Sequence, residues 1–291
     1  MASRRRLGYR SRTMIPAAPS PPVGTLLREW RRRRRLSQLG LALDAEISAR
    51  HLSFLETGRA RPSRDMVLRL AERLDVPPRD RNAILAAAGF APAYPERPLA
   101  HASMAVARRA IETILAAHEP CPALAVDRHW SLVMANRAVA PLLAGVDESL
   151  LGSAPNVLRI ALHPRGLAPR IVNFAELRAH LLARLQRQIA ISGDDALAAL
   201  LEELRGYPTP DGAGPHVGAD DLAGIAVPLR LRTPAGPLSF ISTITVFGTP
   251  VDLTLAELAL ETFFPADDAT ARALGEMAQG REPLHKSLQR S

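Results

Sequence analysis

The most constraining stretch of the chain is residues 37–63, "SQLGLALDAEISARHLSFLETGRARPS". Ser37, Ser48 and Ser63 each stand one residue ahead of a run with helical apolar spacing. A serine in that place accepts a hydrogen bond from an N–H that the first helical turn leaves unpaired. Gly58 closes the middle run, as a glycine able to take the left-handed conformation does. The pattern predicts helices over 38–45, 49–56 and 64–75, with a tight turn at Glu46–Ile47. Ala42 is small enough for the first two of these to approach closely, and Leu41, Ile47, Leu52 and Leu55 supply their apolar contacts. A preceding helix carries Leu26, Leu27 and Trp30 on one side. Val67, Leu68, Leu70, Ala71 and Leu74 form the stripe of the 64–75 helix, and "PP" at 77–78 sets off a fifth over about 79–88. Five short helices with short connections make a compact all-α bundle.

Two helices joined by so short a turn can divide labour on DNA. One braces phosphates, and the other lays its exposed face in the major groove. At about 100° per residue, the 49–56 helix turns Leu52 and Leu55 inward. Arg50, Ser53 and Phe54 face outward, with Ala49 and His51 at the margins. Arg50 can hold a guanine by two hydrogen bonds. Ala49 and Phe54 offer only apolar contacts, to thymine methyls or, for Phe54, to protein. The charge agrees. Residues 1–99 hold 20 Arg against 9 acidic residues, a net of +11, while the rest holds 17 basic against 20 acidic residues, a net of −3. Only the N-terminal third suits a polyanion. Arg31–Arg35 sweep about 400° of helix, so they cannot share one face, and they read as a solvated helix end suited to the dipole. Residues 1–22, with five Arg and four Pro, read as a disordered basic arm, in which Met14 is an alternative start.

The chain "LSQLGLALDAEISARHLSFLETGRARPSRDMVLRLAERLDVP" resembles the XRE (phage-repressor-like) helix-turn-helix family over about 23–90, through "LSQ", "IS…LSFLETG" and "RPS". "ISARHLSFLETGRARPS", "NVLRIALHPRGLAPRIVNFAELRAHLLARL" (156–185) and "SFISTITVFGTPVDLTLAELALETFFPAD" (239–267) are further similar to the MmyB-like subgroup of transcription regulators. The resemblance implies a multidomain protein: an all-α five-helix lambda-repressor-like domain, then an α+β PAS-like domain that binds a fatty-acid-like molecule. It implies that Gln38 contacts phosphate and that Ala49, Arg50 and Phe54 occupy base-reading positions. The polar residues common in phage repressors are missing at Ala49 and Phe54, so no base code carries over. Arg31 and Glu56 match a pair tying the first helix to the third. Arg59 and Arg61 match phosphate contacts. His51 and Ser53 complete the expected DNA-binding set, and the expected partner is an operator in double-stranded DNA read by a homodimer.

The expected domains are 23–91, a linker over 92–100 built on "APAYPERP", the second domain over 101–275, and a flexible tail over 276–291. In the second domain the spacing predicts helices over 102–118, 136–144, 173–191 and 194–205. It predicts two short strands in 122–136 around Asp127–Arg128, a short helix in 156–166, and a hairpin from "AVPLRLRT" and "PLSFISTITVF". "LAELALETFF" reads as a strand. Strands with helices between them suggest an α+β domain with an antiparallel sheet.

No enzymatic constellation is legible: no nucleophile with its base, no paired carboxylates, no metal-ligand spacing. The single cysteine, Cys121, excludes an intramolecular disulfide and a Cys-rich zinc site and reads as a small buried hydrophobe. "GAGPHVG" (212–218) has no strand before it and is not a nucleotide loop. His163 and His180 read as structural, and Asp252, Glu257 and Glu261 as surface charges. No cofactor is expected beyond a bound fatty acid acting as effector. Its carboxylate needs polar partners, for which Asn136, Arg159, Arg170 and Arg178 are the candidates. The longest uncharged stretch, 233–251, is broken by Pro and Gly and alternates like a strand. The expectation is a soluble, cytoplasmic protein with no membrane partner. The alternative is a second domain that serves only dimerisation or recruitment of a protein partner.

Overall fold

A computed structural model describes residues 21–210, 227–248 and 252–279; the basic arm up to residue 20 and "GAGPHVG" lie outside them. The chain divides into two compact units between Ala93 and Tyr94.

The first unit is five helices: α1 (Val23–Arg33), α2 (Gln38–Asp44), α3 (Ala49–Glu56), α4 (Arg64–Arg73) and α5 (Pro78–Ala87). The three serines cap as their positions predict. Ser37, Ser48 and Ser63 accept from the backbone N–H groups of Gly40, His51 and Met66 at 2.9, 3.1 and 3.2 Å. α5 starts on Pro78, where a missing N–H costs nothing. Leu27, Leu41, Leu52, Leu55, Leu70 and Leu74 are fully buried at the centre. Glu46 takes a positive φ of 55°, which turns the chain sharply enough for Ile47 N–H to reach the Ala42 carbonyl at 2.9 Å. Close approach sets one glycine. A Cβ on Gly24 would stand 2.3 Å from the Leu55 carbonyl oxygen, so α1 crosses the end of α3 only because residue 24 has no side chain.

The second unit begins with α6 (Ala105–Ala117) and is built on a five-stranded antiparallel sheet. Its strands are β1 (Ala123–Val126), β2 (Leu132–Ala135), β3 (Leu229–Thr233), β4 (Gly236–Val246) and β5 (Ala259–Pro265), in spatial order β2-β1-β5-β4-β3. β1, between β2 and β5, is buried throughout, and period-2 alternation divides it between two cores. Leu124 and Val126 join the larger core with α7 (Val157–Leu162), α8 (Phe174–Ser192), α9 (Asp195–Arg205) and Leu274 of α11 (Asp268–Gln279). Ala123 and Ala125 join Ile111 and Leu115 of α6. The β1–β2 connection is an Asx-type loop in which Asp127 Oδ1 accepts from the N–H groups of His129 and Ser131, both at 2.8 Å.

Three expectations are corrected. The 136–144 helix is only a 3-10 turn over Ala140–Leu143, because Pro141 lacks the N–H that a longer helix would use. "LAELALETFF" is not one strand. Asp252 caps a short helix, α10 (Leu253–Ala256), by accepting from Thr254 N–H at 3.0 Å, and only from Ala259 does the chain pair as β5. The last helix, α11, runs to Gln279, into the segment expected to be a tail.

Candidate functional site

The α2–turn–α3 unit is fixed from behind by Arg31. Its guanidinium, on α1, donates from Nε and Nη2 to the two carboxylate oxygens of Glu56 on α3, at 2.6 and 2.8 Å, and from Nη1 to the Leu36 carbonyl at 2.8 Å. Both side chains are buried. Burial pushes the Glu56 carboxyl up, but hydrogen bonds from Arg31 and Gln38 outweigh it and hold the group below its ordinary range. This is the ion pair expected from the sequence. Gln38 also turns inward, its Nε2 donating to Glu56 at 2.8 Å. Other arginines of the 31–35 run have structural tasks. Arg34 donates to the Leu74 and Asp75 carbonyls at the end of α4, and Arg33 and Arg34 lie 4.4 and 5.3 Å from the Trp30 ring centre.

On the outer side of α3, Arg50 is exposed, and His51, Ser53 and Phe54 are half-buried. Ala49 packs partly against the bundle core. Arg59 and Arg61 are exposed just beyond the helix. Phe54 is flanked by two of these cations: the Arg50 and Arg59 guanidinium carbons lie 5.3 and 5.9 Å from its ring centre, within cation–π range. The main chain helps, with Arg59 N–H bonded to the Phe54 carbonyl at 2.8 Å. The end of the helix thus presents an aromatic ring with two guanidinium groups near it.

The second unit contains an apolar cavity of about 130 Å³ between the sheet and α8. Leu124, Leu142, Leu158, Ile160, Leu181 and Phe263 form much of its wall. Its polar lining is His180 and Arg184 from α8, Ser242 from β4 and Glu261 from β5. Arg184 lies 4.4 Å over the Trp130 ring. Burial lowers its pKa, partly offset by the nearby Glu261 charge. Burial pushes the Glu261 carboxyl up, against the pull of Arg184 and Ser242. Glu261, expected on the surface, lines the cavity instead, and Asp252 is also buried.

None of the four expected carboxylate partners lines this cavity. Asn136 is buried as a connector. Its Oδ1 accepts from Ala123 N–H at 3.1 Å and its Nδ2 donates to the Leu115 and Cys121 carbonyls. Arg159 forks onto Glu203 at 2.8 and 2.7 Å, and Tyr207, bonded to the same carboxylate, has its phenol pushed up to about 12 by burial and that bond. Arg170 donates to the carbonyls of Leu142, Ala144 and Arg232. Arg178 closes the end of α9 through the carbonyls of Leu204, Arg205 and Tyr207. Among the described residues no group of three His, Cys, Asp or Glu could hold a metal, and no helix is long and apolar enough to cross a membrane.

A capped helix-turn-helix in one unit and an apolar cavity in the other suit a DNA-binding regulator with a ligand-sensing domain. Residues 22–84 match a helix-turn-helix domain family, and residues 107–277 match the MmyB-like transcription regulator ligand binding domain. The second match spans more than half of the chain, and the chain belongs to that family. No curated protein matches. A solved structure titled "Structure of an RNA-binding Light-Oxygen-Voltage Receptor" is 14% identical with a TM-score of 0.27, the match covering 88% of this chain and 64% of that one, less than two thirds of its length.

Proposed function

We propose that this regulator reads an operator through α3 as a homodimer in the cytoplasm, and that a fatty-acid-like molecule in the cavity sets how well it does so. Arg50 reads base edges, with Phe54, His51, Ser53 and Ala49 completing the surface in the groove. Arg59 and Arg61 hold phosphates, and Gln38 braces the backbone with whatever hydrogen-bonding capacity Glu56 leaves it. The observation that carries the ligand reading is the apolar cavity of about 130 Å³. A second domain that only joined protomers would have no use for it.

The volume also limits the ligand. A cavity of about 150 Å³ lined by aliphatic side chains takes a benzene-sized molecule, so the present space holds roughly six carbons. A longer chain requires the walls to part. Native mass spectrometry of the purified protein, followed by lipid extraction, reports the bound species and the number of protomers together. Delipidated protein should then show a melting temperature that rises along a series from hexanoate to tetradecanoate and levels off once the cavity is full. The absence of any shift across the series would remove the ligand reading and leave a domain used for assembly.

A further inference from the structure

An apolar cavity selects a chain, and the polar groups at its rim select the sign and shape of the head group. Arg184 differs from the other arginines of the second unit described above. Arg159, Arg170 and Arg178 direct their N–H groups at Glu203 or at backbone carbonyls. Among the described residues the Arg184 guanidinium makes no hydrogen bond; it rests on the Trp130 ring at 4.4 Å. That ring is itself fixed. Trp130 Nε1 donates to Gln188 Oε1 at 2.9 Å, and Gln188 Nε2 donates to the Arg128 carbonyl at 2.8 Å. The result is a planar cation set over an aromatic ring, its N–H donors unused among the described residues, beside an apolar cavity.

We propose that Arg184 is the anion anchor of this cavity: the carboxylate of an acyl ligand, or a similarly planar oxyanion, takes the free edge of its guanidinium in a forked pair while the chain fills the space lined by Leu124, Ile160 and Leu181. The proposal rests on the ligand-sensing reading above and names the residue that reads the head group. Planar forks of this kind suit carboxylates better than a lysine does. The Arg184 guanidinium is partly desolvated, and an incoming anion offsets that cost. Burial raises the pKa of the Glu261 carboxyl, which weakens its competition for Arg184.

The test compares eight-carbon probes of one length, octanoate, octanol and octylamine, titrated by NMR into the delipidated full-length protein. Wild type should bind octanoate at least tenfold more tightly than octanol, and octylamine most weakly. Arg184→Gln should lose the preference for octanoate yet bind octanol as wild type does, which also shows that the cavity has folded. Arg184→Lys should keep part of the preference, and Glu261→Gln should keep all of it. Equal binding of octanoate and octanol by wild type would overturn the anchor while leaving the apolar site standing. Preference for octylamine would make Glu261 the reader and overturn it too, as would an Arg184→Gln protein with the wild-type preference. Failure of all three probes would remove the ligand reading and the anchor together.

Discussion

Glu56 joins three parts of the DNA-reading unit: Arg31 of α1, Gln38 of α2 and its own helix α3. Removing one member of a buried pair leaves a desolvated charge behind, so Glu56→Ala should destabilise by about 3–5 kcal/mol, measured by urea unfolding. The sign of its pH dependence follows from the lowered carboxyl pKa. The stabilisation is fully present above the unfolded value, about 4.3, and is lost as pH falls through the lower folded value. The urea midpoint of wild type should therefore drop on acidification through that range, and that of Glu56→Gln should drop less. On the outer face, Arg50→Ala should lower operator affinity by about 1–3 kcal/mol and relax specificity at one base pair, whereas Arg59→Ala should weaken all sequences alike and reduce the salt slope by about one. Equal losses on operator and random DNA for Arg50→Ala would contradict its role as a base reader. Because both cations lie within cation–π range of Phe54, a double-mutant cycle between Arg50→Ala and Phe54→Ala should show coupling of about 0.5–1 kcal/mol.

At the scale of elements, what the sequence reveals depends on how local the cause is. The serine caps and the turn between α2 and α3 are decided within a few residues, and all were legible. Arg31 and Glu56 are 25 positions apart, and their pairing was visible only through resemblance. Arg184 and Glu261 were missed for a geometric reason. The leucine stripe of α8 shows one apolar face, but it does not show which flanking residue borders a cavity. Alternation in β5 likewise leaves open which side of the sheet encloses space. The arginines expected at the carboxylate lie away from the cavity for a related reason: Arg178 and Arg170 serve carbonyls at the ends of α9 and of the 3-10 turn, which exist only once the fold has formed. Two changes test the architecture of α3. Ser48→Ala should cost about 1 kcal/mol, the usual value of an N-cap. Gly24→Ala should cost more, about 1–3 kcal/mol of overpacking, since the added carbon meets the Leu55 carbonyl at 2.3 Å. Chemical denaturation of the two variants should rank them in that order, and a neutral Gly24→Ala would show that α1 does not hold α3 through this contact.

For the whole molecule the question is how a ligand in one unit affects DNA binding by the other. A ligand shifts only an equilibrium between states for which its affinities differ, and the coupling it produces is reciprocal. If an acyl ligand changes operator affinity by some factor, operator DNA must change ligand affinity by the same factor. That equality is a demanding test, because contamination, aggregation or a second weak site would disturb the two titrations differently. Operator affinity should be measured at fixed salt with and without saturating octanoate, and octanoate affinity with and without saturating operator. A coupling of 1–3 kcal/mol, roughly 5–150-fold, is typical of such systems, and the two factors should agree within error. The Arg184→Gln protein separates occupancy from anchoring. If the head group carries the coupling, octanol at saturation should change operator affinity less than octanoate does in wild type, and the two should act alike in Arg184→Gln. Operator affinity indifferent to a saturated cavity would leave two independent binding units on one chain, and the regulatory reading would fall even with both sites intact.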